Sequence, residues 1–363
     1  MNTNVRPTPA QMKRLDGLRG VAALGVAILF HYSHFKPAQI PFQVELTKWF
    51  YTDGWSLVDL FFILSGLIFA IRYQQVIETH AISFADYMRI RIARLYPVHL
   101  LTLFLAFIAQ AIHLKLTGFV PIYGNFNLYH FALNLLFIQK LYFDAGGSFN
   151  GPSWSVSVEM LLYVVFYFVC YTWRLQSIWA CAVCGLVGLY LLHRGLGPEV
   201  ARGILGFFGG VLFYRAFLRA DSAAQTSKWR HLGCALLVAV FIVGGRADRN
   251  LDFSTGKYYI YTLFVFPIMI YLILSYALIG RIFETKPLTY VGKISYSLYM
   301  IHVPVQMSVM TLAAAIGWNY DPTSKIFFVS YASTVLGSAI VIHHLFEHPL
   351  RVYLRNPPTR RSA

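Results

Sequence analysis

Charge is what this sequence has least of. Asp, Glu, Lys and Arg together make up 12% of its 363 residues, about half the share usual in soluble domains, which excludes an ordinary water-soluble globular fold. Acidic residues are the scarcer sign, 15 against 30 Lys and Arg, for a formal charge of +15. The basic residues are scattered between apolar stretches and form no single stripe, so nucleic acid is not indicated as a partner. Cysteine is nearly absent: Cys170, Cys181, Cys184 and Cys234 all fall inside apolar runs. Cys181 and Cys184 make a C-x-x-C pair, yet no second pair or ligand cluster accompanies them; they read as buried thiols, and no metal is called for. Internal repeats and low-complexity tracts are also missing, and the only linker-like piece is the loop at 220–227.

What is present is apolar. Hydrophobic residues reach 57% and aromatic residues 17%, in continuous runs near 20 residues, the length that a hydrocarbon core of about 30 Å demands of one helix. The runs do not alternate in ten-residue segments, so helices and not a barrel are expected. The reading is an all-α polytopic integral membrane protein with about ten transmembrane helices, at 15–34, 55–71, 97–114, 157–173, 178–192, 202–218, 232–245, 259–279, 294–316 and 326–346. The stretch 130–143 is apolar but short and interrupted by Gln139 and Lys140, so it reads as a partial or re-entrant segment. With both termini cytoplasmic, 20 of the 30 Lys and Arg fall on the inner side, as the positive-inside rule prefers. An eleventh span would invert that order. The chain thus divides into a cytoplasmic segment 1–14, one membrane domain 15–346 and a basic cytoplasmic tail 347–363. The first apolar run reads as a span and not as a cleavable signal, because it holds Asp16 and Arg19.

Ionisable residues inside such spans cost about 2.5 to 3.5 kcal/mol each on insertion scales and ask for a function or a partner. Asp16 and Arg19 sit at the start of the first span, where they can snorkel or pair. His31 lies 12 residues beyond Arg19, about 18 Å deeper at 1.5 Å per residue. Glu159 follows Trp154 by five residues in GPSWSVSVEMLLY. His302 lies nine residues beyond Lys293 in GKISYSLYMIHVP, near mid-depth, and Asp59 lies near the outer end of the second span. Each could be a packing hydrogen bond, with Ser295, Tyr296, Ser297 and Tyr299 as interhelical glue. Taken together, His31, Glu159 and His302 at comparable depth on different helices supply a proton-accepting histidine and a carboxylate to steer it. That is the minimal equipment for general-base attack by a hydroxyl on a thioester, in a site dry enough to protect the donor. A proton-coupled transporter or flippase of a lipid-linked glycan would use the same residue types, but it calls for pseudo-symmetric halves, and none are evident.

Six blocks in order resemble acyltransferase family 3, the integral membrane acyltransferases: LDGLRGVAAL with a following F-H, VDLFFILSGLIF, RIRIARLYP, WSVSVEMLLY, ISYSLYMIHVP and FEHPLR. The resemblance implies a bacterial inner-membrane O-acyltransferase that moves an acyl group, acetyl foremost and succinyl as a variant, from cytoplasmic acyl-CoA to a hydroxyl. The acceptor would be a cell-surface or secreted glycan, or alternatively a small molecule such as a macrolide. Acyl-CoA is a substrate here, and no permanently bound cofactor is implied. Carried over, His31 and Glu159 would be catalytic. Arg19, Arg89, Arg91, Arg94, Ser65, Trp154, Tyr299 and His302 would bind acyl-CoA or line the site, with the arginine trio serving CoA phosphates or local structure. Some relatives carry an appended extracytoplasmic hydrolase-like domain; none is read here, so acceptor chemistry is expected within the membrane domain. One departure matters: eleven residues separate Arg19 from His31, where the family usually has ten. On an ideal helix that swings the pair from about 20° to about 120° apart, and a one-residue π-bulge near Gly25 is expected to restore the alignment. His34, nearer the outer end, is a secondary candidate base.

Overall fold

The computed structural model describes residues 7–141, 146–173, 178–215 and 253–355, and among these every regular element is a helix. Seven helical segments are long and apolar enough to cross a membrane: Pro9–Phe35, Thr47–Arg72, Phe84–Thr117, Gly151–Trp173, Gly256–Ser275, Ser295–Ile316 and Lys325–Arg355. Two further expected spans are helices of 16 residues each, Ile178–His193 and Pro198–Phe213. The expected span 232–245, with Cys234 and the 220–227 loop, lies outside the described residues. In the 130–143 stretch the helix is only Leu128–Leu135, started by the Asn127 side chain accepting from the His130 amide.

The basic cluster corrects the sequence reading. The helix of the span expected at 97–114 begins at Phe84 instead, so Arg89, Arg91 and Arg94 stand on the 34-residue helix Phe84–Thr117, with Pro97, the first residue of the expected span, inside it. Ser83 starts that helix early by accepting from the Asp86 amide at 3.1 Å, an N-cap worth about 1 kcal/mol. Membrane helices tolerate the interior proline because neighbouring groups take up the freed carbonyl.

Residue packing divides the chain into two compact units. The first comprises Met1–Ala22, Ser56–Ile82 and Leu162–Gly292, and its glycines explain two sequence blocks. A Cβ at Gly66 would strike the Phe207 carbonyl, and one at Gly210 the Ile63 carbonyl, so Leu57–Arg72 and Pro198–Phe213 touch backbone to backbone. Gly17 meets Phe283 and Gly20 meets Leu288 in the same way. Small residues at helix contacts are what membrane packing selects, since lipid supplies no hydrophobic drive between helices. Charges in this unit face one another. Arg202 donates to Asp59 at 2.9 Å beneath the Tyr258 ring, and Arg14 donates to Glu284 at 2.6 Å and to the Ile273 and Leu274 carbonyls.

The second unit comprises Ala23–Trp55, Ser83–Leu161 and Lys293–Ala363. The helix Ser295–Ile316 packs on Phe84–Thr117 and on Lys325–Ile342. Leu103, Ala106, Ala109, Phe149, Val303 and Met307 form a buried core there, with Tyr123 and Phe131 against it. The first transmembrane segment enters this unit as a π turn, Gly25–Leu29, followed by a 3-10 turn, Phe30–Phe35. A π turn spends one extra residue, and it lies where the additional residue between Arg19 and His31 calls for it. Side chains steady the irregular stretch: Tyr331 donates to the Ala27 carbonyl at 3.1 Å, and Tyr32 donates to the Pro322 carbonyl at 2.7 Å.

Candidate active site

The π and 3-10 turns deliver His31 and His34 on adjacent faces, with ring centroids 5.0 Å apart. Both rings are half-buried. His302, fully buried on the helix Ser295–Ile316, meets His31 with Nε2 3.0 Å from Nδ1. The proton positions follow from acceptors that have no choice. Nδ1 of His302 lies 2.6 Å from the Tyr299 carbonyl oxygen, and a carbonyl only accepts, so that nitrogen carries the proton. In neutral His302 the Nε2 is then a lone pair, and Nδ1–H of His31 donates to it. The Val26 carbonyl, 3.1 Å from the same His31 nitrogen, demands the same tautomer. Nε2 of His31 is left unprotonated, and among the described residues it takes no hydrogen bond. A carbonyl-anchored chain therefore ends in an available base.

Around this pair the helix start at 154 is fixed by hydroxyl bonds. Ser155 Oγ and Tyr299 Oη are 3.0 Å apart, and Tyr299 also donates to the Pro152 carbonyl at 3.0 Å. Asn150, wholly buried, donates to the Met300 carbonyl at 2.8 Å. Tyr123 packs edge-on against His34, its ring lying where a Cβ at Gly147 or Gly151 would be. Burial, with Tyr299 nearby, pushes the Tyr123 hydroxyl above its ordinary range, so it stays protonated.

The sequence-predicted residues divide accordingly. His31 and His302 are in contact, with Tyr299 supplying the anchoring carbonyl. Trp154 and Glu159 are half-buried on Trp154–Trp173. Glu159 stands one turn from Ser155 on the same helix face, and among the described residues it bonds neither histidine. Among the described residues the side chain bonded to His31 is that of a second histidine. Arg89 is exposed and bonded to Asp86 at 2.9 Å. Arg91 is buried with its guanidinium 5.9 Å from the Tyr87 ring centre. Arg94 is half-buried, and its charge acts on Glu347. Glu347, from the sixth block, is buried and accepts from Ser297 at 2.7 Å and His343 at 2.9 Å. Arg19 and Ser65 belong to the first unit, where Arg19 lies 3.9 Å from Asp16. Sequence reasoning missed Gln306, which the four-residue spacing from His302 could have revealed, and Tyr123, which no spacing links to the histidines. Among the described residues no group of three or more His, Cys, Asp or Glu is arranged to hold a metal ion.

Comparison with known proteins adds the family. A family profile described as an acyltransferase domain matches residues 12–343. The chain is similar to O-acetyltransferase OatA of Staphylococcus aureus strain NCTC 8325, with 23% identity over 331 residues, 82% of this chain and 51% of the relative. The OatA of strain COL matches with the same figures. The chain spans about half the length of these curated relatives. No solved structure matches it. A profile match over nearly the whole chain makes this protein a member of acyltransferase family 3.

Proposed function

We propose that this enzyme transfers an acyl group, acetyl foremost, from cytoplasmic acyl-CoA to a hydroxyl of a cell-surface or secreted glycan, in a bacterial inner membrane with ten spans and both termini cytoplasmic. The observation that carries the reading is the chain of contacts from the Tyr299 carbonyl through His302 to Nδ1 of His31, which leaves the His31 Nε2 as the lone-pair nitrogen. In the reaction the acceptor hydroxyl passes its proton to His31 Nε2 as its oxygen bonds the thioester carbonyl carbon. The C–S bond then breaks, and the proton on His31 passes to the departing thiolate. The ester and free CoA thiol balance the starting alcohol and thioester. His302 spreads the transient positive charge of His31 through the bond between them. Glu159 and Trp154 line the acceptor side, and the exposed Arg89 and half-buried Arg94 meet the CoA phosphates. Arg19 and Ser65, in the first unit, are the family's further candidate residues for acyl-CoA. Arg91, buried against Tyr87, serves local structure.

The test is transfer from radiolabelled acetyl-CoA to mixed cell-envelope glycans by purified protein, wild type against His31→Ala. Label transfer by wild type, with retained acetyl-CoA binding but a 10²- to 10⁴-fold slower variant, is expected for loss of a general base. An unimpaired variant moves the chemistry away from His31. Wild type that neither binds nor consumes any acyl-CoA, yet is thermally protected by a lipid-linked glycan, overturns the enzyme reading in favour of transport.

A further inference from the structure

Beside the base stands a second histidine whose placement the acyl-transfer chemistry above does not use. Gln306, wholly buried, lies one turn beyond His302 on the same helix. Its Nε2 donates to the His31 carbonyl at 2.7 Å, and its Oε1 lies 3.0 Å from Nδ1 of His34. The orientation of this amide is forced. A carbonyl oxygen can only accept, so the NH₂ end faces His31 and the oxygen end faces His34. Facing an oxygen, His34 Nδ1 carries the proton, and in neutral His34 the Nε2 is a lone pair. Among the described residues that nitrogen takes no hydrogen bond. One amide thus does two things: it satisfies a carbonyl in the 3-10 turn that carries the base, and it selects the tautomer of the neighbouring ring. The outcome is a second acceptor nitrogen, on a ring centred 5.0 Å from that of His31 and backed by Tyr123.

We propose that Gln306 is a positioning residue that fixes His34 as a second hydrogen-bond acceptor beside the base, there to take a second hydroxyl of the same acceptor molecule. This rests on the acyltransferase reading and narrows it, for it selects acceptors with neighbouring hydroxyls, as polyols and sugars have, over isolated alcohols.

Two measurements decide it. The first needs no acceptor: ¹⁵N-histidine NMR of the full protein in lipid nanodiscs, with the His34 signal identified by its loss in His34→Phe. The expected wild-type signal is protonated at Nδ1 and bare at Nε2. Gln306→Met shifts it to the Nε2–H form that free imidazole side chains favour. Gln306→Glu, which keeps the acceptor but not the donor, holds the Nδ1–H form, and it separates the tautomer effect from any misfolding of the Met variant. A wild-type His34 protonated on Nε2, or a signal unmoved in Gln306→Met, overturns the positioning role. The second measurement is acetyl transfer to the glycan mixture and, in parallel, to cis-1,2-cyclohexanediol and cyclohexanol. Gln306→Met and His34→Phe are each expected to slow transfer to the hydroxyl-rich acceptors about tenfold, with KM for the acceptor rising more than kcat falls, and the double variant is expected to fall short of the product of the two. Full rates in both variants overturn the second-hydroxyl role while His31 stands. Failure of wild type to transfer acyl groups at all fails the parent reading, and the NMR result still decides what Gln306 does.

Discussion

The first unit and the histidine site of the second treat polar groups inside an apolar molecule in opposite ways. In the first, buried and half-buried charges are turned on one another: Asp59 on Arg202, Arg14 on Glu284, Arg215 on Glu78. In the second, His31 and His34 are each tied down at one nitrogen and left open at the other. Burying a polar group without a partner is costly, so closed pairs suit a scaffold. An open nitrogen persists only where the neighbouring structure holds it and a ligand takes it. The contrast separates the residues expected to set stability from those expected to set turnover.

The sharpest way to break this comparison is at the histidine pair. His302→Phe keeps an aromatic ring of similar bulk but removes the acceptor that His31 Nδ1–H points at. Transfer is expected to fall by about 10- to 100-fold, the scale seen when the partner that orients a metal-binding histidine is lost, with thermal stability near wild type. A variant that melts early but turns over normally would place His302 with the scaffold.

Next comes the pair that should behave the other way. Asp59→Ala leaves Arg202 buried without its carboxylate, an event that costs about 3 to 5 kcal/mol, and a clear fall in melting temperature in detergent is expected. Asp59→Leu combined with Arg202→Met replaces the pair by apolar bulk and should regain most of that loss, since buried pairs contribute little beyond their own desolvation. If the double variant stays stable but loses acetyl transfer, the pair belongs to the reaction and the division between units fails.

How much of this was legible beforehand follows from what each feature depends on. Helical class and the seven described segments long enough to cross a membrane rest on composition and run length, which neighbours do not alter. The π turn at Gly25–Leu29 was readable because a one-residue insertion must be absorbed somewhere, and glycine is where a helix yields. Pro97 misled, because the cap that begins its helix is Ser83, fourteen residues upstream, and a proline inside a membrane helix leaves no sign of being interior. The contact of His31 with His302 was visible only as shared depth. That a carbonyl and a second imidazole would bond His31 is a matter of rotation about two helix axes, which depth does not report. Gln306 was readable in principle from its spacing, but a glutamine in a span has many packing roles and its two hydrogen bonds exist only once the 3-10 turn is formed.

Gly66→Ala addresses the scaffold by shape instead of charge. Its new methyl would meet the Phe207 backbone, which cannot rotate away as a side chain can, so the two helices must part. Overpacking of this kind costs about 1 to 3 kcal/mol, and a lowered melting temperature with unchanged acetyl-CoA binding per folded molecule is the expected result. A Gly209→Ala control is expected to be mild, because nothing lies within reach of its Cβ. Equal effects at both positions would mean that helix propensity, and not close approach, governs this contact.

The smallest effect expected is at Tyr331→Phe. The hydroxyl it removes bonds the Ala27 carbonyl inside the π turn, and a single neutral hydrogen bond contributes about 0.5 to 1.5 kcal/mol, so the fold should tolerate the change. Turnover is the more sensitive reporter, because the π turn sets the rotation at which His31 leaves the helix and a misaligned base loses rate before it loses structure. A few-fold drop in transfer with an unchanged melting temperature is therefore expected. The opposite pattern, a lower melting temperature with full turnover, would show that the turn holds its shape without the tyrosine and that His302 alone suffices to aim the base.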